Sequence, residues 1–227
     1  MDVEVISLGG SLLFNGLDVN YTYLNKLKRL LTSYPGKRFV IVVGGGSIAR
    51  TYMTALEHFN SNKEFVSHFG IAITRTNARL VANAFGRLSN TRTLPKSLKE
   101  VKHLLTKHKI VCCGGLRYAD NQTSDGTAAQ LARYLRTRFI NLTNVKGLCT
   151  KDPHKYKGAK LIPRISYREF DKEVRKLSFH PGQHFVLDHH SSTIIHKGKV
   201  PTTILGSNLT NVKRFLDGKS FIGTTIN

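Results

Sequence analysis

The sequence predicts an α/β protein in which a largely parallel sheet is covered by helices on both faces. Strand-length apolar runs alternate with segments whose apolar residues recur at helical spacing, the pattern of parallel strands joined by crossover helices. Three of those runs end in glycine. Gly9-Gly10 follow the run 3–8, Gly44-Gly45-Gly46 follow 39–43, and Gly114-Gly115 follow 110–113. Glycine permits the turn out of a strand and lets backbone N–H groups approach an anion. In an open α/β sheet, ligands bind beyond the carboxyl ends of the strands. Three such clusters therefore imply one shared, phosphate-handling edge.

The elements follow in order. After the first strand, Tyr23, Leu24, Leu27, Leu30 and Leu31 recur at helical spacing, and Pro35-Gly36 marks a turn. The strand 39–43 leads through its glycines into a helix with Ile48, Tyr52 and Leu56 on one face. Residues 65–88 read as a long helical region, with Ile71, Ile73, Leu80, Val81, Ala84 and Phe85 as its apolar side. A short helix over 99–108 precedes the strand 110–113. A polar loop, 116–125, then leads to a small-residue helix, 126–135, and a strand, 139–142. Beyond the stretch 143–153, the pattern predicts a helix over 167–177, a strand at 185–187, a helix through Ile195 and a strand over 201–205. An amphipathic helix carrying Leu209, Val212, Phe215 and Leu216 ends at Gly218, and 221–226 reads as an edge strand. There is no linker, low-complexity tract or clear repeat. The expectation is one domain of two lobes, about 1–125 and about 126–227, dividing near Gly126.

Composition bounds the partners. Among 227 residues, 35 Lys and Arg against 14 Asp and Glu give a net charge of +21. That balance favours polyanionic partners or phosphorylated ligands. A proteome of basic surfaces, or a high-salt cytoplasm, accounts for it as well and is the preferred reading. The basic residues are spread along the chain, with no zinc-finger spacing and no aromatic-interleaved RNA motif. Cys112, Cys113 and Cys149 form no disulfide framework and suggest a reducing compartment. The start, Met1-Asp2-Val3-Glu4, lacks a secretory signal pattern, and no apolar run is long enough to span a membrane. A cytoplasmic protein is expected.

Two glycine strings carry the chemistry. Ser7-Leu8-Gly9-Gly10-Ser11 places free N–H groups and a hydroxyl at a strand end, which suits phosphate oxygens and equally describes an ordinary tight turn. Gly44-Gly45-Gly46-Ser47-Ile48-Ala49-Arg50 leads into a helix N-terminus, where unsatisfied amides and the dipole favour an anion. Arg50, a turn in, could donate to a phosphate or simply be solvated. Neither string is a Walker A loop or a G-x-G-x-x-G fingerprint. Asp125 opens the small-residue helix, where an N-cap role competes with a site role. Asp188 precedes His189-His190; a helix start is preferred to a metal site, because no ligand set at metal spacing joins them.

The ordered set resembles the amino acid kinase family. The two glycine strings match its phosphate loops. The segment from Gly70 to Ala78 looks like the mid-domain segment of its archaeal-type UMP kinase branch. Gly114-Gly115 followed by Thr123-Ser124-Asp125 resembles that branch's acceptor loop. Thr143-Asn144-Val145, Gly147 and Asp152-Pro153 look like its ATP-site signature, and Gly223-Thr224-Thr225-Ile226 matches its ending. The resemblance covers essentially the whole chain. It implies a three-layer α/β/α sandwich, an N-terminal lobe for the phosphate acceptor and a C-terminal lobe for ATP.

It also implies roles. Gly9, Gly10 and Ser11 would touch the transferring phosphates, and Asp125 would organise charge at the transfer site. Gly46, Arg50, Thr143, Asn144, Cys149 and Asp152 would serve ATP. Gly45, Ser67, Leu116, Arg117, Thr123 and Ser124 would serve UMP. The implied reaction is ATP + UMP giving ADP + UDP with Mg²⁺, in a cytoplasmic homo-oligomer, a homohexamer by resemblance. Phosphoryl transfer needs positioning and charge neutralisation more than a nucleophilic side chain, as the residue types suggest.

The chain departs from the family at particular residues. Ser67 stands where an Asp is common, Lys146 where an Asp is usual, and Cys149 where a Tyr packs on the nucleotide. Ser7 and Thr193 stand where many members have Lys, and the loop 116–122 is longer than usual. The alternative reading is a weakened or inactive member that binds nucleotide, or RNA through its basic surface.

Overall fold

The computed structural model describes residues 2–116, 123–153, 155–176 and 186–227. Arg117 and residues 118–122 of the acceptor loop, and Phe185 of the expected strand at 185–187, lie outside them. A seven-stranded sheet runs through the middle of the chain. Strand β1 (Asp2–Leu8) lies between β4 (Lys37–Val43) and β6 (Arg138–Leu142), parallel to both. Strand β5 (Ile110–Cys113) extends the sheet beyond β4, and β8 (Thr202–Leu205) extends it beyond β6. All five strands are parallel. Strands β2 (Phe14–Asn15) and β3 (Asp18–Val19) form a separate small hairpin.

Side-chain alternation on the strands builds two cores. On one face, Val3, Val5, Val40, Val42, Val111, Cys113 and Phe139 pack under α5 (Leu98–Lys107), α6 (Ser124–Leu135), α7 (Tyr167–Arg175) and α8 (His189–Gly198). On the other, Ile6, Leu8, Phe39, Ile41, Val43, Ile110 and Ile140 pack under α2 (Tyr21–Thr32), α4 (Lys63–Phe85) and α9 (Leu209–Leu216). The three-layer α/β/α expectation holds. Burial of Cys112 and Cys113 in these layers pushes both thiols up, Cys112 to about 12, so they act as small apolar side chains.

The sheet differs from the expectation at its far side. Strand β9 (Gly223–Ile226) is internal, antiparallel to β8 on one flank and parallel to β7 (Arg164–Ile165) on the other. The run 221–226 is therefore not the edge strand. The edge is β7, a two-residue strand too short to give a periodicity signal. Val186 and Leu187 form a bend, and the turn ends at Asp188, whose carboxylate caps α8 by accepting from the Ser191 N–H at 2.8 Å.

Strand β1 holds one buried charge. Glu4 is 2% exposed and is bonded by Arg138, with Lys37 at 3.3 Å. A lone carboxylate there would be costly; two cations pair with it across β4, β1 and β6.

Candidate active site

Because β1, β4, β5 and β6 are parallel, their carboxyl ends emerge on one edge of the sheet. The chain order reverses at β1, with β4 on one side and β6 on the other, which opens a crevice there. The glycine loops interlock at that point. The Gly9 N–H donates to the Leu142 carbonyl at 3.1 Å, and the Gly44 N–H to the Leu8 carbonyl at 3.1 Å. A methyl group on Gly10 would lie 2.2 Å from the Gly46 Cα. Gly46 has φ +68, in the left-handed region, and its own methyl would meet the Phe14 ring at 2.8 Å. Glycine is required at both positions by backbone approach and conformation. Helix α1 (Gly10–Leu13) starts in the first cluster and α3 (Gly46–His58) in the second. Gly45 caps α3 without a side chain, and Ser47 donates to the Gly16 carbonyl, tying the hairpin to α3. Ser11 and Arg50 are exposed.

The centre of α4 clamps two of these loops. Asn77, 4% exposed, donates from Nδ2 to the Gly44 and Gly45 carbonyls at 2.9 and 3.0 Å. Thr74 Oγ1 accepts from the Gly115 N–H at 2.9 Å. Arg75 donates to the Gly115 carbonyl at 2.9 Å and to the Leu116 carbonyl at 2.6 Å. A methyl on Gly114 would lie 2.5 Å from the Arg75 nitrogen. These three side chains are the positioning residues that residue-type reasoning missed. The available signal was four polar residues, Thr74 to Asn77, in the middle of a helix whose flanks are apolar. Ser67 is half-buried nearer the start of the same helix.

An acidic corner lies beside the glycines. Ser7 belongs to the face of β1 that points at α6, and its hydroxyl donates to Asp125 at 2.6 Å. Asp125 is not the N-cap of α6. Thr123 is, accepting from the Gly126 N–H at 3.0 Å while its hydroxyl donates to the Asp188 carboxylate. The helix starts one residue before Asp125, which leaves that carboxylate turned toward β1. Burial, and then the nearby Asp188 carboxylate, push the Asp125 carboxyl up to about 7, against the opposing Ser7 hydrogen bond. Ser124 Oγ lies 3.6 Å from where a Gly44 methyl would be, so the start of α6 touches the second glycine loop. His190 sits against Gly126, and its ring nitrogen is 3.3 Å from Gln130.

The residues after β6 form a second shelf. The Thr143 N–H donates to the Leu205 carbonyl at 3.0 Å, and its hydroxyl lies 3.4 Å from Asn144 Oδ1. Asn144 and Lys146 are exposed, Cys149 and Asp152 half-buried. Cys149 bridges to Leu161, and the Asp152 carbonyl accepts from the Tyr156 N–H at 2.9 Å, so both sit at the base of a returning loop. Thr224 Oγ1 accepts from the Leu148 N–H at 2.8 Å and donates to the Ile162 carbonyl at 2.6 Å, locking that loop onto β9. Leu116 is buried, and Arg117 lies outside the described residues.

Among the described residues, no group of three or more His, Cys, Asp or Glu could hold a metal ion. Two carboxylates, Asp125 and Asp188, face the edge. That donor set fits a magnesium ion carried on nucleotide phosphates rather than a protein cage.

Comparison with known proteins agrees with this geometry. The amino acid kinase family pattern matches residues 2–206. The chain belongs to the amino acid kinase family. Within that family it is 31% identical over 223 residues to the uridylate kinase of Thermoplasma acidophilum, covering 98% of this chain and 95% of that one. It is 36% identical over 186 residues to the uridylate kinase of Hyperthermus butylicus, covering 81% and 80%. The crystal structure of uridylate kinase from Archaeoglobus fulgidus superimposes with a TM-score of 0.86 at 29% identity, over 100% of both chains. No helix among the described residues is long and apolar enough to cross a membrane.

Proposed function

We propose that this family member is a UMP kinase, transferring the γ-phosphoryl group of ATP to UMP to give UDP. The observation that carries the reading is the switch in strand order at β1, where two glycine loops interlock beside the start of α6, in a chain whose full-length relatives are uridylate kinases. Such a frame offers fixed backbone N–H donors to three charged oxygens, and this electrostatic positioning is the main requirement of phosphoryl transfer.

The chain's own groups divide the work. Gly10 and Ser11 present N–H groups and a hydroxyl to the phosphate in transit, while Gly9, whose own N–H is taken by the Leu142 carbonyl, lets the loop pass close beside it. Gly46 and the start of α3, with Arg50, face the donor. Gly45, Ser67, Leu116, Arg117, Thr123 and Ser124 receive UMP, and Asn77, Thr74 and Arg75 hold that side rigid. Thr143, Asn144, Cys149 and Asp152 form the adenosine shelf. Asp125, held by Ser7, sets the charge at the transfer point. Magnesium bound with ATP would neutralise phosphate charge beside Asp125 and Asp188. The lobes, about 1–125 and 126–227, meet at the start of α6. Such a reaction belongs in the cytoplasm, within pyrimidine nucleotide synthesis.

We also infer a homo-oligomer. Tyr52 on α3, Phe59 at its C-cap and Phe65 on α4 are 51, 75 and 52% exposed, and Tyr52 and Phe65 flank Phe69 at 5.4 and 6.4 Å. A patch of this kind fits a second copy. Light scattering should give an oligomer that Phe65→Glu dissociates; a wild-type monomer refutes it.

A coupled assay of every nucleoside monophosphate with ATP and magnesium tests the activity. UMP should be the preferred acceptor. No turnover of any monophosphate, together with tight salt-dependent RNA binding, would instead favour an inactive, nucleic-acid-binding relative, a reading the +21 charge keeps in view.

A further inference from the structure

A cleft of about 410 Å³ opens between α7 and α8, lined by Arg168, Asp171, Lys172, Arg175, Lys176 and His196. It uses none of the glycine-edge residues. Its volume is in the range of small-ligand sites.

The cleft is built around one carboxylate. Asp171, 7% exposed, accepts from Arg175 Nε at 2.8 Å and from the Ser192 hydroxyl at 2.8 Å, with His196 Nδ1 at 3.4 Å. Burial pushes this carboxyl up, but the Arg175 and Ser192 hydrogen bonds outweigh it, so it stays ionised. Arg175 is held a second time, through Nη2 to Thr193 Oγ1 at 3.0 Å. Its guanidinium plane is therefore fixed by both helices. Tyr167 bonds the Lys199 carbonyl at 3.2 Å, so the helices run antiparallel and the cleft has two anchored ends.

Arg168 and Lys172 on α7 and Lys176 at its C-cap stand at four-residue intervals, a spacing at which like charges repel along one face. Arg168 lies in the first helical turn, where the dipole disfavours a cation. Lys176 pairs with Glu173 at 2.5 Å, but among the described residues neither Arg168 nor Lys172 has an ion-pair partner. A self-repelling row facing a concave surface is stabilised by a bound polyanion. Two unpaired cations beside an oriented guanidinium match adjacent phosphates more closely than a single one.

We propose that the α7–α8 cleft is a second anion site, which takes the di- or triphosphate group of a small ligand. This goes beyond the kinase reading and does not depend on it.

Calorimetric titration with inorganic tripolyphosphate tests it, on the protein alone and again with UMP and a non-hydrolysable ATP analogue present. One equivalent should still bind in the second titration. The double variant Arg168→Glu, Lys172→Glu should weaken that equivalent about tenfold or more, and Arg168→Lys, Lys172→Arg should keep it. Arg168 and Lys172 are both exposed, so the variants should fold. The KM values for ATP and UMP should not move. A nucleoside triphosphate in place of tripolyphosphate distinguishes the source: tighter binding indicates a nucleotide, equal binding a free polyphosphate. The proposal is overturned by no binding to the nucleotide-filled protein or by unchanged affinity in the charge-reversed variant. A raised KM for ATP would make the cleft part of the nucleotide site. Tighter binding of a single-stranded RNA that displaces tripolyphosphate would make it a nucleic-acid surface.

Discussion

Replacing Asp125 by Asn should stabilise the protein above neutral pH while impairing transfer. In the folded chain, burial and then Asp188 hold this carboxyl near 7, against 3.8 for the free side chain. The folded state therefore keeps a proton between about pH 4 and pH 7 that the unfolded chain releases. By linkage, stability from this group falls as pH rises through that window and is flat above it. A shift of roughly three units at 1.36 kcal/mol each sets a ceiling of about 4 kcal/mol at pH 8. Asp125 is only half-buried, and screening reduces the effect to about 1–3 kcal/mol. For a chain of this size that is roughly 3–9 °C in Tm.

Asn keeps the carbonyl that accepts from Ser7 and removes the charge. Thermal unfolding of wild type and Asp125→Asn at pH 5 and pH 8 isolates the effect, because every other titrating group is common to both. The variant should gain at pH 8 and approach wild type at pH 5, with kcat for UMP reduced about a hundredfold or more. Asp188→Asn should give a smaller gain, since it removes the lesser of the two causes. Parallel pH profiles for wild type and Asp125→Asn would refute the assignment.

Other substitutions probe the frame. Asn77→Ala leaves the Gly44 and Gly45 carbonyls without their buried donor, so urea unfolding should show a loss of about 1–3 kcal/mol. Activity should fall further than stability explains. Gly10→Ala drives a methyl into the Gly46 backbone, and soluble expression or UMP turnover should be lost, whereas Gly36→Ala, which meets nothing within 4 Å, should be silent. Lys146→Ala should lower kcat about tenfold if this exposed lysine supplies charge to the transfer; unchanged turnover refutes that role.

Much of the fold was legible because strand alternation and helical spacing are local. The runs 3–8, 39–43, 110–113 and 139–142 each carry enough apolar residues to declare themselves. Strand β7 was not legible, because two residues have no period, and β9 was misplaced because pairing partners are a tertiary property. The site divided the same way. Glycines signal backbone approach, so their shared edge could be read from spacing. What each glycine approaches could not: Gly10 meets Gly46, and Gly114 meets α4. The N-cap competition at Asp125 turned on one residue, since Thr123 has the same capping chemistry two positions earlier.

The hydroxyls of Ser7 and Thr193, at positions where the family resemblance leads to an expectation of lysine, have opposite partners. Ser7 donates to a carboxylate, Asp125, and Thr193 accepts from a guanidinium, Arg175. The first contact only partly offsets the rise of the Asp125 carboxyl, which burial and then Asp188 cause. A lysine at position 7 would set an ammonium against Asp125, and an opposite charge at that range holds a carboxyl down by about 1–3 units. A hydroxyl supplies only a dipole, so burial and Asp188 prevail. The second contact sets positive charge beside α8, because Arg175 reaches Thr193 from α7. That arginine is tied to Asp171 and faces its own cleft. In the proposed reaction, charge at the transfer point would come from groups that arrive with the nucleotide or from exposed cations such as Arg50 and Lys146. In the free protein Asp125 is raised by burial and by Asp188, and in the proposed reaction cations delivered with the substrate would relieve that repulsion.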